Sequence, residues 1–208
     1  MLVVHHLNDS RSQRVLWLLE ELGLPYDIKY YQRDAVTRLA PPELRAVHPL
    51  GKSPVLSDGE RTVIESGAIV DYLIRQHGDG RLRPAIDSAD YETYQQWLHY
   101  AEGSAMLPFL LKLYVSRLGE AGTPLSPRIE SEIANHLGFV EQTLQGHQWL
   151  VADALSGADI MMSFVGEVAG ARADRSSYPN VDAWVERFQQ RPAYRKALER
   201  GGPYAFAS

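Results

Sequence analysis

Residues 2–30, LVVHHLNDSRSQRVLWLLEELGLPYDIKY, carry the pattern from which the rest of the chain is read. Leu2-Val3-Val4-His5-His6 is a short, mostly apolar run, the signature of a buried strand. Asn8-Asp9-Ser10 then supplies residues suited to a helix start. Val15, Leu18, Leu19 and Leu22 fall at i, i+3, i+4 and i+7, which predicts a helix over about Ser12–Leu22 with one apolar face. Gly23 suits its C-terminal stop, and Tyr26–Tyr30 alternates as a second strand. A strand, a helix and a strand in that order call for a parallel pair.

Working outward, Arg33–Pro49 is a polar connection in which Pro42-Glu43-Leu44 can open a short helix. Ser53–Leu56 and Thr62–Ile64 flank an Asp58-Gly59 turn, which predicts an antiparallel hairpin. Glu65-Ser66-Gly67 begins a helix with Ile69, Val70, Leu73 and Ile74 on one side. The expected first domain, residues 1–79, is therefore α/β: βαβ, a connection and ββα around a mixed sheet. Residues 80–86 read as a linker, and 87–208 as an all-helical domain. Its first long helix is expected from about Tyr91 to Leu118. A second carries Ile129, Ile133, Leu137, Val140 and Leu144, and others start near Ser156, Val181 and Pro192.

Composition narrows the function. The chain has 208 residues, no cysteine and a net charge of −5. No cysteine means no disulfide, no thiolate metal site and no thiol nucleophile of its own, so sulfur chemistry must come from a ligand. Acidic and basic residues are mixed along both halves, without the excess of positive charge that nucleic acid binding uses. No apolar run reaches the roughly 20 residues of a membrane span. The MLVVHHLNDS start lacks the features of a signal peptide, so a cytoplasmic location is expected.

Four motifs carry chemistry or its support. At the strand-to-helix turn Asn8–Arg14, a serine hydroxyl sits where backbone N–H groups and the helix dipole favour negative charge. Such a hydroxyl can donate to a thiolate and lower a thiol pKa, although Ser10 or Ser12 equally suits a simple cap. In His48–Val55, a cis Ser53-Pro54 bond before a strand would leave the Ser53 main chain open to an extended ligand; an ordinary proline turn is the plainer reading. Glu65-Ser66 at a helix start suits an amino-acid head group, with Ser66 and the first N–H groups facing a carboxylate and Glu65 an ammonium. Ser156 and Asp159 form a capping box, a structural device that nucleates a buried helix.

In this order and spacing, the four motifs resemble the cytosolic glutathione transferase family over nearly the whole chain. SRSQRVLWLLEELGLPY is most similar to bacterial and fungal members with serine at the active-site turn. The resemblance implies a thioredoxin-like N-terminal domain, a helical C-terminal domain and a homodimer. It implies glutathione as co-substrate, with no permanently bound cofactor and no metal, and a small hydrophobic electrophile or a hydroperoxide as the second substrate. By resemblance Ser10 meets the glutathione sulfur, with Ser12 and Asn8 as alternates two residues away. Ser53, before Pro54, pairs with the cysteinyl unit, and Glu65 and Ser66 hold the γ-glutamyl head. Some relatives bind the glycyl end through histidines. Leu39 and Gly51 stand at those positions here, leaving Arg38 or Lys52 for that carboxylate.

Two further expectations concern side chains outside these motifs. His5 and His6 are adjacent in a strand and point to opposite faces, which favours structural roles over a metal site. Tyr91, Tyr94 and Trp97 suit interdomain or dimer packing, whereas Tyr100, Met106, Leu110 and Tyr114 on the first long helix could line the electrophile pocket. A non-catalytic binding or regulatory protein of the same fold and a glutathione-dependent isomerase or dehalogenase remain as alternative readings.

Overall fold

The structure, a computed structural model, describes residues 1–173 and 175–207. It has two compact units: residues 1–82 together with 189–208, and residues 83–188.

In the first unit β1 (Leu2–Leu7) is followed by α1 (Ser12–Leu22) and β2 (Tyr26–Tyr31), then by a short α2 (Glu43–Val47). β3 (Val55–Asp58), β4 (Arg61–Ile64) and α3 (Ser66–His77) complete the α/β part. The sheet order is β2-β1-β3-β4, with β1 parallel to β2 and the other two pairs antiparallel. This is the expected mixed sheet. The predicted span of α1 matches because its apolar stripe is unbroken and Gly23 ends it at φ 66°, a left-handed conformation that costs glycine little. Val15, Leu16, Leu18 and Leu19 are all removed from solvent.

The expected domain boundary needs correction at the C-terminus. Residues 189–208 fold with the sheet rather than with the helical unit, because α9 (Pro192–Gly201) packs along α1. Its contacts are specific. Arg191 grips Glu21 through Nη2 at 2.9 Å, Lys196 and Arg200 meet Glu20 at 2.7 and 2.9 Å, and Trp17 stacks edge-on with Tyr194. Arg200 also lies 3.8 Å over the Tyr26 ring. Sequence distance hid this: the pairs are separated by some 170–180 positions.

In the second unit the expected long helix is broken. α4 (Asp90–Tyr100) passes into a π-helical turn, Ala101–Ala105, before α5 (Leu107–Val115). Pro108 lies in the first turn of α5, where its missing N–H costs nothing; further inside a continuous helix its ring would clash with the preceding turn. A 3₁₀ segment with a sharp turn at Gly119 leads to α6 (Ser126–Thr143). α7 (Gly157–Arg172) is buried along most of its length, and α8 (Pro179–Gln189) follows. Among the described residues no helix is long and apolar enough to cross a membrane.

Ser156 and Asp159 form the expected capping box. Asp159 does more than cap. It is fully buried and accepts from the Leu150 and Ser156 N–H groups and from the Trp184 indole at 3.0–3.1 Å. It thereby ties the start of α7 to the preceding loop and to α8. Asp159→Ala strands three buried donors, each worth about 1–3 kcal/mol, so a loss of about 3 kcal/mol or more is expected in urea unfolding. A loss under about 1 kcal/mol would show that the carboxylate is dispensable.

Candidate functional site

The sheet register sets the site. His5 lies opposite Val55, and Val55 opposite Ile64, so β1 ends, β3 begins and β4 ends at the same edge of the sheet. β2 ends there too, because Leu7 pairs with Tyr31. The segments Asn8–Ser12, Arg33–Arg38, Lys52–Pro54 and Glu65–Ser66 all enter or leave the sheet at that edge. α1 and α3 both start there with their positive dipole ends toward it, although the Ser12, Gln13 and Arg14 N–H groups of α1 are already taken by Ser10 and Arg11.

At the α1 entrance Ser10 and Ser12 are buried and their hydroxyls lie 2.7 Å apart. Ser12 Oγ also meets His6 Nδ1 at 2.9 Å and accepts from the Leu7 N–H at 3.3 Å. Burial, the largest influence, pulls the His6 ring down to about 4, against a backbone hydrogen bond to Gly201 and the Asp9 charge, which act upward. At neutral pH the ring is therefore uncharged, with one N–H. With Nδ1 turned to Ser12, the Gly201 bond falls to Nε2–H, and Nδ1 accepts. The Ser12 hydroxyl has two acceptors in reach, His6 Nδ1 at 2.9 Å and the Leu7 carbonyl at 3.3 Å; with the shorter bond to His6 formed, Ser10 donates to Ser12. Ser10 also accepts the Ser12 N–H at 3.2 Å, so the simple capping role is partly filled by the same residue.

Asn8, the other alternate, is occupied within the turn: Oδ1 accepts the Arg33 N–H at 2.8 Å and Nδ2 donates to Asp9 at 3.2 Å. Asp9 holds φ 49°, unusual for a residue with a side chain, and its carboxylate accepts from Arg38 at 3.1 Å and from the Ala205 N–H at 2.9 Å. Arg33 reinforces the turn through the Asn8 and Asp9 carbonyls at 3.1 and 3.3 Å. Arg38, expected to be available for a carboxylate, is thus already paired with Asp9.

Across the edge, the Ser53–Pro54 peptide is cis and the Ser53 hydroxyl donates to the His5 carbonyl at 2.8 Å. The β3 ladder begins only at Val55, so the Ser53 main chain lies outside it. Lys52 is exposed. Glu65 is exposed at φ 67°, and Ser66 beside it is buried, with no protein partner for its hydroxyl among the described residues. Glu65 thus holds a left-handed backbone conformation next to an uncommitted hydroxyl at a helix start, where N–H groups and the dipole favour negative charge.

The residues expected for the electrophile pocket lie on both sides of the π-helical turn. Tyr100 borders an open cavity of about 1040 Å³ in the second unit with Trp97, Gly103 and Phe139, and bonds His136 Nδ1 at 2.6 Å. Met106, just before α5, and Leu110 and Tyr114 on α5 do not line that cavity; Met106 is buried and Tyr114 exposed. Tyr94 and Trp97 are buried.

His5 and His6 do face opposite ways, His5 toward the Tyr31 and Ser57 hydroxyls at 2.9 and 3.0 Å. Among the described residues no cluster of histidine and acidic side chains suits a metal ion. Sequence reasoning missed His6, Arg33 and Gly201 as parts of the site. Only the pairing of β1 with the α1 entrance reveals the first, and only the docking of α9 the last.

A thioredoxin-like α/β unit with a hydroxyl-bearing helix entrance beside a cis-proline, together with an all-helical unit, defines a class of thiol-handling proteins. Residues 4–81 match the family described as glutathione S-transferase, N-terminal domain, and residues 104–192 match glutathione S-transferase, C-terminal domain. The chain is 35% identical to glutathione S-transferase 3 of Schizosaccharomyces pombe over 96% of its own length and 88% of the relative's. It is 33% identical to glutathione S-transferase 1 of Saccharomyces cerevisiae, covering 95% and 94%. A solved glutathione S-transferase from Actinobacillus pleuropneumoniae superposes with a TM-score of 0.87 at 34% identity, covering 97% and 93%. The chain belongs to the glutathione S-transferase family.

The neutral ring of His6 is directly measurable. Its nitrogen shifts are expected to titrate near pH 4 in NMR spectra of the folded protein. Since an unfolded histidine titrates near 6.5, acidification from about 6.5 toward 4 removes stability at this site, and above 6.5 none is lost. A midpoint near 6.5 would contradict the donor directions assigned to Ser12 and Ser10.

Proposed function

We propose that the chain is a transferase that binds glutathione at this sheet edge and ionises its thiol for attack on a small apolar electrophile or a hydroperoxide. The observation that carries the reading is the meeting of two helix starts at one edge, one bearing Ser10 and the other the uncommitted Ser66 hydroxyl. A peptide with a carboxylate at its head and a thiol at its centre suits that spacing. Ser66 and the first N–H groups of α3 take the γ-glutamyl carboxylate, and Glu65 its ammonium. The Ser53 main chain pairs with the cysteinyl unit as an added strand. Of the two cations considered for the glycyl carboxylate, Lys52 is favoured, because Arg38 is engaged by Asp9.

Ser10 and the α1 dipole then act on the sulfur. A free thiol has a pKa near 8.5, and each unit of lowering corresponds to about 1.4 kcal/mol of preference for the thiolate. A hydrogen bond to a charged group contributes about 1.5–3 kcal/mol, so Ser10 accounts for about one to two units. A homodimer in the cytoplasm completes the reading, in keeping with the resemblance on which it was expected.

Ser10→Ala is expected to keep glutathione affinity but raise the bound thiol pKa by about one to two units, with kcat/KM at neutral pH falling about 10- to 100-fold. Titrating thiolate absorbance of the complex checks this. If Ser12→Ala raised the thiol pKa and Ser10→Ala did not, the assignment would pass to Ser12. Retention on immobilised glutathione without any lowering of the thiol pKa would favour a non-catalytic binding protein.

A further inference from the structure

Two groups stand in line behind the Ser10 hydroxyl, and neither is needed merely to hold it. Ser12 Oγ lies 2.7 Å from Ser10 Oγ, and His6 Nδ1 lies 2.9 Å from Ser12 Oγ. All three side chains are buried, so water does not compete for these bonds. With Ser12 donating to His6 and Ser10 to Ser12, the Ser10 oxygen, which also accepts the Ser12 N–H, keeps one lone pair for a further donor. In this resting arrangement Ser10 is an acceptor, fit to receive a proton from a thiol. After ionisation it must be a donor. Something has to reverse it.

We propose that Ser12 and His6 form a proton relay that takes the glutathione thiol proton through Ser10. The inference rests on the reading of Ser10 as the residue at the sulfur. In the step, the S–H bond breaks as Ser10 Oγ takes its proton. Ser10 passes its own proton to Ser12, and Ser12 passes its own to His6 Nδ1. One S–H and two O–H bonds break; two O–H bonds and one N–H bond form. No electron changes hands, and the net charge is unchanged. The products are a thiolate and an imidazolium, with every hydroxyl now pointing outward and Ser10 donating to the sulfur.

The surroundings of His6 suit a transient proton. The Gly201 carbonyl holds the second ring N–H, and the Asp9 carboxylate supplies a favourable charge. Tyr30 faces the ring edge-on at 6.1 Å, with its own hydroxyl donated to the Arg200 carbonyl. The low proton affinity of the buried ring means that the proton moves on rather than stays. The proton that leaves is the one on Nε2: its N–H bond breaks, water in the open groove of about 750 Å³ that His6 borders with Tyr30, Gln32 and residues 201–205 takes it, and the neutral ring keeps its N–H at Nδ1 toward Ser12. Ser12 and His6 are positioning residues in this scheme: they set the direction and speed of proton flow and do not touch the substrate.

His6→Asn separates relay from scaffold. The asparagine oxygen can accept the Ser12 hydroxyl where Nδ1 did, but it cannot carry the proton. The full-length protein is mixed with glutathione in a stopped-flow instrument, with thiolate absorbance and an indicator dye for released protons. Wild type is expected to form thiolate and release a proton together. His6→Asn is expected to keep the affinity and final thiol pKa of wild type while forming thiolate at least about tenfold more slowly. Formation at the wild-type rate would overturn the proposal. So would slowing accompanied by weakened binding and a raised thiol pKa, which is the mark of a purely structural role. If the variant does not fold, the wild-type rate in mixed light and heavy water decides: a curved dependence on deuterium content supports several moving protons, and a straight line overturns it. Wild type that binds glutathione without forming thiolate would instead refute the reading of Ser10.

Discussion

The register that places His5 opposite Val55 and Val55 opposite Ile64 is the constraint on which the rest depends. Side chains alternate across a sheet, so a slip of one residue would turn β1 over and exchange the faces of His5 and His6. It would also move the α1 entrance away from Ser53, whose hydroxyl is tied to the His5 carbonyl. Leu2, Val4, Val55 and Leu56 are buried and hold the register through the core. Four chain segments separated in sequence thereby meet at one edge, and two helices start there. The positive ends of α1 and α3 are a product of topology, set before any particular polar residue is chosen.

The polar residues refine that field. Arg33, Asp9 and the Ala205 N–H fix the turn before α1, and the positive φ of Asp9 is supported from both sides. Because α9 is clamped to α1 by Glu20 and Glu21, its end delivers Gly201 to the His6 ring. The C-terminal segment is thus part of the thiol-handling unit. A charge pair between such helices contributes little alone. Here Glu20 is largely buried and shared among Tyr26, Lys196 and Arg200, which hold its carboxyl below the ordinary range despite the opposing effect of burial.

Much of the fold was legible because its signals are local. The stripe from Val15 to Leu22 and the Gly23 stop define α1, and Asp58-Gly59 marks the hairpin. The Ser156–Asp159 box marks α7. What stayed hidden depends on contacts between distant parts of the chain. Nothing near Pro192 announces that α9 belongs with the sheet, and His6 reads as an ordinary strand residue until Ser12 is seen against its ring. Pro108 was a visible signal for the break after Tyr100, and its clash with a continuous helix outweighs the apolar periodicity that runs across it. At the site, Ser10, Ser53, Glu65 and Ser66 were named from motif and resemblance. The distinction between Arg38 and Lys52 needed the Asp9 ion pair.

The central claim is that a borrowed thiol sits at the α1 entrance with its peptide laid along the sheet edge. A crystal structure of the protein with glutathione tests it most directly. The account predicts the sulfur within hydrogen-bond distance of Ser10 Oγ, the cysteinyl main chain paired with Ser53, and the γ-glutamyl carboxylate on Ser66 at the start of α3. Glutathione bound with its sulfur against Asn8, or its head group away from α3, would contradict it.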